Sequence, residues 1–339
     1  MNLEELNSTA RALVNASRGI LAADESTGTI TKRFASIDLE STEENRRAYR
    51  DMLFTAPDLE STISGVILFE ETLYQASSDG TPFPKLLASR DVIPGIKVDK
   101  GAKPMALCPG ETITEGLDGL RERLQAYREA GARFAKWRAV IRISDELPTG
   151  ACIEANAHAL ARYAALCQEQ GIVPIVEPEV LMDGDHSIDV CEDVTSATLG
   201  AVFAQLDAQG VALEGMLLKP NMVISGSDCP EQADVEAVAA ATVRTLKRYV
   251  PAAVPGIVFL SGGQSDELAT AHLDAMNKLG DHPWVLSFSY GRALQASALK
   301  AWCGQSENVQ AAQTAFAHRA RCNSAAVRGE YSADMEAAQ

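Results

Sequence analysis

The sequence predicts a single (β/α)8 barrel with additional helices at its two ends. Three observations carry that expectation. The chain has 339 residues, a length that suits one large α/β barrel as well as two or three average domains. Eight short apolar runs recur along it, their starts 28 to 45 residues apart, which leaves room for a strand, a loop, a helix and a return loop. The segments between the runs carry apolar residues at helical spacing, and such alternation implies parallel strands joined by crossovers. An open doubly wound sheet is the competing architecture, but no G-x-G-x-x-G follows the first run.

In chain order the predicted strands are residues 19–23 (GILAA), 64–69 (SGVILF), 93–98 (IPGIKV), 133–141 (RFAKWRAVI), 172–176 (IVPIV), 215–218 (GMLL), 256–260 (GIVFL) and 284–288 (WVLSF). Pro174 sits inside the fifth, where a proline is unfavourable. A helix is predicted over residues 42–56, with Ser41 and Glu44 spaced as a capping box. Another covers 151–170, placing Ile153, Ala157, Leu160 and Ala164 at helical spacing and stopping at Gly171. Residues 235–249 and 265–279 read the same way, the latter ending at Gly280. An extra helical stretch is expected over 307–327. Residues 1–328 then form one barrel domain, and 329–339 a short flexible tail.

Composition narrows the function. There are 46 acidic against 30 basic residues, a formal charge of −16. That balance argues against nucleic acid and anionic membrane surfaces, which require clustered Lys and Arg. It leaves open a small anionic ligand, because net charge says nothing about one pocket. No run approaches the roughly 18 apolar residues of a membrane span. Glu4 and Glu5 fall where a secretory signal would be basic and then apolar. The seven cysteines are odd in number and none is spaced C-x-x-C, so free thiols and a cytoplasmic location are expected. The five histidines show no metal-ligand spacing, and neither metal nor cofactor is predicted. The acidic run Asp183, Asp185, Asp189, Glu192, Asp193 lacks calcium-loop spacing and reads as a solvated loop and helix start.

The polar residues that end the apolar runs are the candidates for chemistry, since barrel active sites collect at the carboxyl ends of the strands. They are Asp24, Lys97, Lys136 with Arg138, Glu177 with Glu179, Lys219, Ser261-Gly262-Gly263, and Ser289 to Arg292. Members of each pair are two residues apart and point the same way. A cation at a strand end is ordinarily solvated. Lys136 and Arg138, however, lie in an otherwise buried run, where a charge needs a partner or a task. Lys219 follows three apolar residues, and both burial and a nearby Lys136 would favour its free amine, the form that attacks a carbonyl. The structural alternative is a salt-bridged lysine. Ser261-Gly262-Gly263 before a helix start, with Gly291 and Arg292 after the eighth run, suggests a phosphate cradle.

These same segments resemble the class I, Schiff-base fructose-bisphosphate aldolases. The resembling stretches are LAADESTGTITKR, GVILFEETLYQ, GIKVDKG, FAKWRAVI, GIVPIVEPE, DGDH, LLKPNM, FLSGGQS and FSYGRALQASALKAW, in family order across residues 21–302. The resemblance implies a homotetrameric barrel acting on a phosphorylated ketose. It implies Lys219 as the Schiff-base lysine, Glu177 as the proton shuttle, Asp24 as the base for the C4 hydroxyl, and Lys136 beside Lys219. Glu179 would support the lysines. Ser261, Gly262, Gly263, Ser289, Gly291 and Arg292 would hold the C1 phosphate. Ser26, Thr29, Arg33, Lys97 and Arg138 would contact the far end, as would Arg46. A preference for fructose 1-phosphate or sedoheptulose bisphosphate, and a scaffold on the same fold, are the alternatives. Many members end in a longer tail closing with a tyrosine that exchanges the enamine proton. Here the last tyrosine is Tyr331, so that step is expected to fall to another group or to water, or to be slower.

Overall fold

The computed structural model describes residues 2–15 and 17–337. Among the described residues ten strands occur: β1 Gly19–Ala23, β2 Ile63–Leu68, β3 Ile93–Lys97, β4 Ala102–Pro104, β5 Thr112–Thr114, β6 Phe134–Ile141, β7 Val173–Val180, β8 Leu217–Leu218, β9 Gly256–Phe259 and β10 Val285–Tyr290. Eight close into a barrel in the order β1-β10-β9-β8-β7-β6-β3-β2, and neighbours pair in parallel throughout. The eight are the predicted runs. The remaining two, an exposed β4 and a largely half-buried β5, form an antiparallel pair in the connection after β3. Three-residue strands carry too little pattern to be read from sequence.

Side-chain alternation sorts the barrel into two cores. Outward residues such as Leu21, Val66, Ile96, Trp137, Val176, Leu218 and Phe259 pack in the large core beneath the helices. Inward residues Ile20, Ala22, Ile67, Phe134, Val173, Ile175, Leu217 and Val258 form a second core. Leu6, Ala10 and Leu13 of the helix Leu3–Leu13 join that second core, so the N-terminal helix plugs the floor of the barrel. The apolar floor leaves the upper inward positions for polar groups.

Pro174 is tolerated for a geometric reason. In β7 the odd residues bond toward β6, as Val173 N–H does to the Arg133 carbonyl. Even residues face β8, where the Lys219 N–H donates to the Val176 carbonyl. The pairing with β8 is confined to Ile175↔Leu217 and Val176↔Leu218. Pro174 and Pro178 flank that short ladder and remove no donor it needs.

The helices follow the expected spans closely: Gly150–Glu169, Val235–Tyr249, Asp266–Lys278 and Val309–Val327. One cap differs. The helix Glu43–Phe54 is capped by Thr42, whose hydroxyl accepts from the Asn45 N–H. Ser41 instead turns toward Arg46, which donates to its carbonyl. The predicted Ser41/Glu44 box is therefore one residue out of register. The expected tail makes defined contacts: the Tyr331 N–H donates to Asp274 at 2.9 Å, and a short helix Asp334–Ala337 brings Glu336 to Arg319. All seven cysteines are free. Among the described residues no helix is long and apolar enough to cross a membrane.

Candidate active site

The inward parity that builds the floor also places the chemistry. Above Ala22 in β1 comes Asp24, above Phe134 in β6 come Lys136 and Arg138, above Ile175 in β7 come Glu177 and Glu179, and above Leu217 comes Lys219. All six line one cavity of about 760 Å³ at the carboxyl ends of the strands. Its size falls in the range of small-molecule sites, roughly 300–1,000 Å³.

A chain of ion pairs crosses its base. Glu177 lies between two ammonium groups, with Oε1 3.1 Å from Lys219 Nζ and Oε2 3.2 Å from Lys136 Nζ. Lys136 Nζ also sits 2.7 Å from Asp24 Oδ2. Lys136, Glu177 and Lys219 are only 3–4% exposed. Burial acts to raise the Asp24 carboxyl, but Lys136, Lys219 and Lys97 outweigh it and hold the group well below the usual carboxylate range. Burial likewise opposes the charge on Glu177, and Lys136, Lys219 and Arg138 overcome it and lower its pKa. Lys136 is desolvated too, yet Asp24, Glu177 and Asp99 raise its pKa above the ordinary lysine value. The base of the cavity is thus charged but internally compensated.

The cavity rim carries donors. Ser261, Gly262, Gly263, Ser289, Gly291 and Arg292 line it, as do Ser26, Thr29, Arg33, Lys97 and Arg138. The helix Arg292–Trp302 begins at the cavity after Gly291, which offers the free amide groups of its first turn to an anion. Gly263 has φ +94, and a Cβ there would lie 3.2 Å from an Arg292 Nη2 and 2.8 Å from Met182 Sδ. The Ser289 hydroxyl is buried and finds no protein partner. Arg292 forms no ion pair among the described residues, which leaves its guanidinium free for an anion.

Of the residues expected here, Arg46 alone is not brought to the cavity. It forms a part-buried bidentate pair with Glu71, 2.5 and 2.7 Å. Glu179, expected beside the lysines, pairs with Arg138 instead. Asp183 is exposed in a loop, as expected, and also lines the cavity. Tyr331 does not line it, and its hydroxyl donates to Glu336 at 2.8 Å.

Three residues escaped the sequence reading. Glu25 is buried, and its Oε1 accepts from Arg33 and from Gln295 at 3.0 Å, while Oε2 lies 3.1 Å from Arg50. Asp99 sits 3.5 Å from Lys97 and accepts the Arg138 N–H at 3.3 Å. Ser227 arrives from the loop after β8, its N–H bonded to the Met182 carbonyl at 2.7 Å. Glu25 follows Asp24 and Asp99 stands two residues beyond Lys97 on the same strand-end face, which was the available signal.

The barrel is matched by known proteins along nearly the whole chain. Residues 5–339 match the family model described as class-I fructose-bisphosphate aldolase. The chain belongs to the class I fructose-bisphosphate aldolases. A probable class 1 aldolase of Xanthomonas campestris pv. campestris is 60% identical over 332 residues, 98% of this chain and 99% of that one. The aldolase of Dictyostelium discoideum is 55% identical, covering 98% and 94%. A solved aldolase structure from Plasmodium falciparum, in complex with TRAP and a small-molecule inhibitor, superposes with a TM-score of 0.96 at 54% identity, covering 97% and 96%. This aldolase is a carbon–carbon lyase of glycolysis. It cleaves fructose 1,6-bisphosphate reversibly to dihydroxyacetone phosphate and glyceraldehyde 3-phosphate through a lysine Schiff base.

Proposed function

We propose that Lys219 is the Schiff-base lysine and that Glu177, Lys136 and Asp24 move the protons around it. The observation that carries this reading is the relay Lys219–Glu177–Lys136–Asp24, with contacts of 3.1, 3.2 and 2.7 Å. Glu177 accepts a proton from the Lys219 ammonium, and the freed amine attacks the C2 ketone of the substrate. Glu177 then protonates the departing hydroxyl of the carbinolamine, water leaves, and an iminium forms. Asp24 removes the C4 hydroxyl proton, the C3–C4 bond breaks, and its electron pair passes into the iminium to give a neutral enamine. Glyceraldehyde 3-phosphate departs, C3 is reprotonated by a group other than Tyr331 or by water, and hydrolysis releases dihydroxyacetone phosphate.

Two ends of the cavity suit two phosphates. Ser261, Gly262, Gly263, Ser289, Gly291 and Arg292 hold the C1 phosphate through amide, hydroxyl and guanidinium donors. Ser26, Thr29, Arg33, Lys97 and Arg138 serve the far end, and the two anchors together position the reacting bond. Arg46 has no part in this reading. The relay also argues against a pure scaffold, which has no use for a lysine buried on a carboxylate. We further place the enzyme in the cytoplasm as a homotetramer built from residues 1–328. That follows the family's usual assembly and relatives named as cytosolic, and equilibrium sedimentation tests it.

Borohydride reduction in the presence of fructose 1,6-bisphosphate, followed by peptide mass mapping, tests the mechanism. The adduct is expected on Lys219 and absent from Lys219→Ala, and cleavage should survive EDTA. An adduct on any other lysine sinks the assignment. Comparing kcat/KM for fructose 1-phosphate and sedoheptulose bisphosphate ranks the substrates.

A further inference from the structure

The C-terminal segment gathers a set of donor atoms that the aldol reaction does not use. His318 and Cys322 stand one turn apart on the helix Val309–Val327 and are 9% and 1% exposed. The short helix Asp334–Ala337 folds back and sets Glu336 over them. His318 Nε2 lies 3.7 Å from Cys322 Sγ and 3.5 Å from Glu336 Oε2. All three donor atoms fall within 4.8 Å of one another. Zinc bonds of about 2.3 Å to sulfur and roughly 2.0–2.2 Å to nitrogen or oxygen give a tetrahedron with edges of about 3.4–3.6 Å. Two edges of that tetrahedron are already nearly in place, and rotation of the Glu336 side chain on its terminal helix closes the third.

We propose that His318 Nε2, Cys322 Sγ and a carboxylate oxygen of Glu336 bind one zinc ion, with water at the fourth position, and that the ion staples the C-terminal segment to the helix Val309–Val327. A thiolate with an imidazole selects zinc over magnesium or calcium. The neighbouring cation does not forbid it. Arg319 pairs with Glu336, but its Nη2 also donates to the Thr270 hydroxyl at 2.7 Å and the Asp266 carbonyl at 3.0 Å. It therefore keeps partners when the ion takes the carboxylate oxygen. Tyr331 holds the other oxygen of Glu336 at 2.8 Å and orients it. On binding, the Cys322 S–H bond breaks, its proton leaves to solvent and an S–Zn bond forms, while His318 contributes its lone pair without redox change. Affinity accordingly rises with pH. Chain order hid the site, because Glu336 reaches the His-Cys pair only through the fold. None of the three residues lines the catalytic cavity, so the zinc site and the Schiff base stand or fall separately.

The test uses the full-length, metal-stripped enzyme with Cys108→Ser and Cys303→Ser to silence the more accessible thiols. Zinc is titrated by calorimetry and cobalt by absorption, and amide exchange follows residues 330–337. One ion per chain is expected, with a thiolate-to-cobalt band that disappears in Cys322→Ser. Glu336→Gln, on a terminal four-residue helix, should weaken zinc by about tenfold or more. Zinc should slow exchange in the tail of the parent and not in Glu336→Gln. Absence of stoichiometric binding, or parental affinity in both variants, overturns the site. Binding that leaves tail exchange unchanged overturns the staple.

Discussion

Glu177 compensates two buried ammonium groups at once, and this makes it structural as well as chemical. Glu177→Gln should destabilise the fold by about 3 kcal/mol in urea unfolding at neutral pH, because a buried charge loses its partner. The folded carboxyl has a lowered pKa. Its contribution is therefore fully present above the unfolded value near ~4.3 and lost as pH falls through the folded one. The difference between variant and parent should shrink accordingly below that pH. Glu25 acts at one remove: it holds Arg33, whose Nη2 would lie 3.5 Å from a Cβ on Gly291, at the mouth of the cavity. Glu25→Gln should raise KM for fructose 1,6-bisphosphate by about tenfold while leaving kcat nearly unchanged, as expected when ground-state and transition-state binding are lost together. Lys136 and Lys219 were legible in the sequence because a cation inside an apolar run violates the local pattern. Glu25 offered only its adjacency to Asp24, since its partners Arg33, Arg50 and Gln295 come from separate helices. Arg46, carried over from the resemblance outside its quoted motifs, pairs with Glu71 away from the cavity lining.

At the level of elements, the strands were legible because a floor of apolar inward residues and an outer apolar face both leave a short dense run. The loops were not, because their order comes from contact with one another. The loop after β8 is bonded to the loop after β7 through Gly226 N–H to the His186 carbonyl at 2.8 Å and Ser227 N–H to the Met182 carbonyl. A Cβ on Gly226 would lie 2.3 Å from the Gly184 carbonyl oxygen. Gly226→Ala must part these loops, which also carry Met182, Asp183 and Ser227 of the cavity lining. We expect a loss of about 1–3 kcal/mol in thermal unfolding together with a lower kcat. The misplaced helix cap makes a smaller, cleaner case. Thr42→Ala should cost about 1 kcal/mol and Ser41→Ala far less, since the Thr42 hydroxyl meets the orphan Asn45 N–H. Serine and threonine adjacent in sequence offer the same cap chemistry, and only the backbone entering the helix chooses between them.

For the molecule as a whole, the C-terminal segment and the cavity make separate demands. Deleting residues 330–339 removes Glu336 from Arg319, which is 3% exposed, and Tyr331 from Asp274. The truncated enzyme should lose about 1–2 kcal/mol of stability, limited by the partners Arg319 retains. Its rate of C3 proton exchange should match that of the intact chain, and a sharp fall would return Tyr331 to the mechanism. The net charge of −16 left the balance of charge inside the cavity undetermined. The lining carries Arg33, Lys97, Lys136, Arg138, Lys219 and Arg292 against Asp24, Glu25, Asp99, Glu177, Glu179 and Asp183, six of each sign. That parity has a dynamic consequence. Turning the Lys219 ammonium into an iminium preserves its positive charge. Forming the enamine then erases that charge as Asp24, by taking a proton, loses its own. The cavity stays isoelectric through bond cleavage, with no ion to be summoned from solvent at the reacting step. Single-turnover cleavage should therefore vary less than about twofold between ~0.02 and ~0.3 M salt, a range over which surface fields are strongly screened.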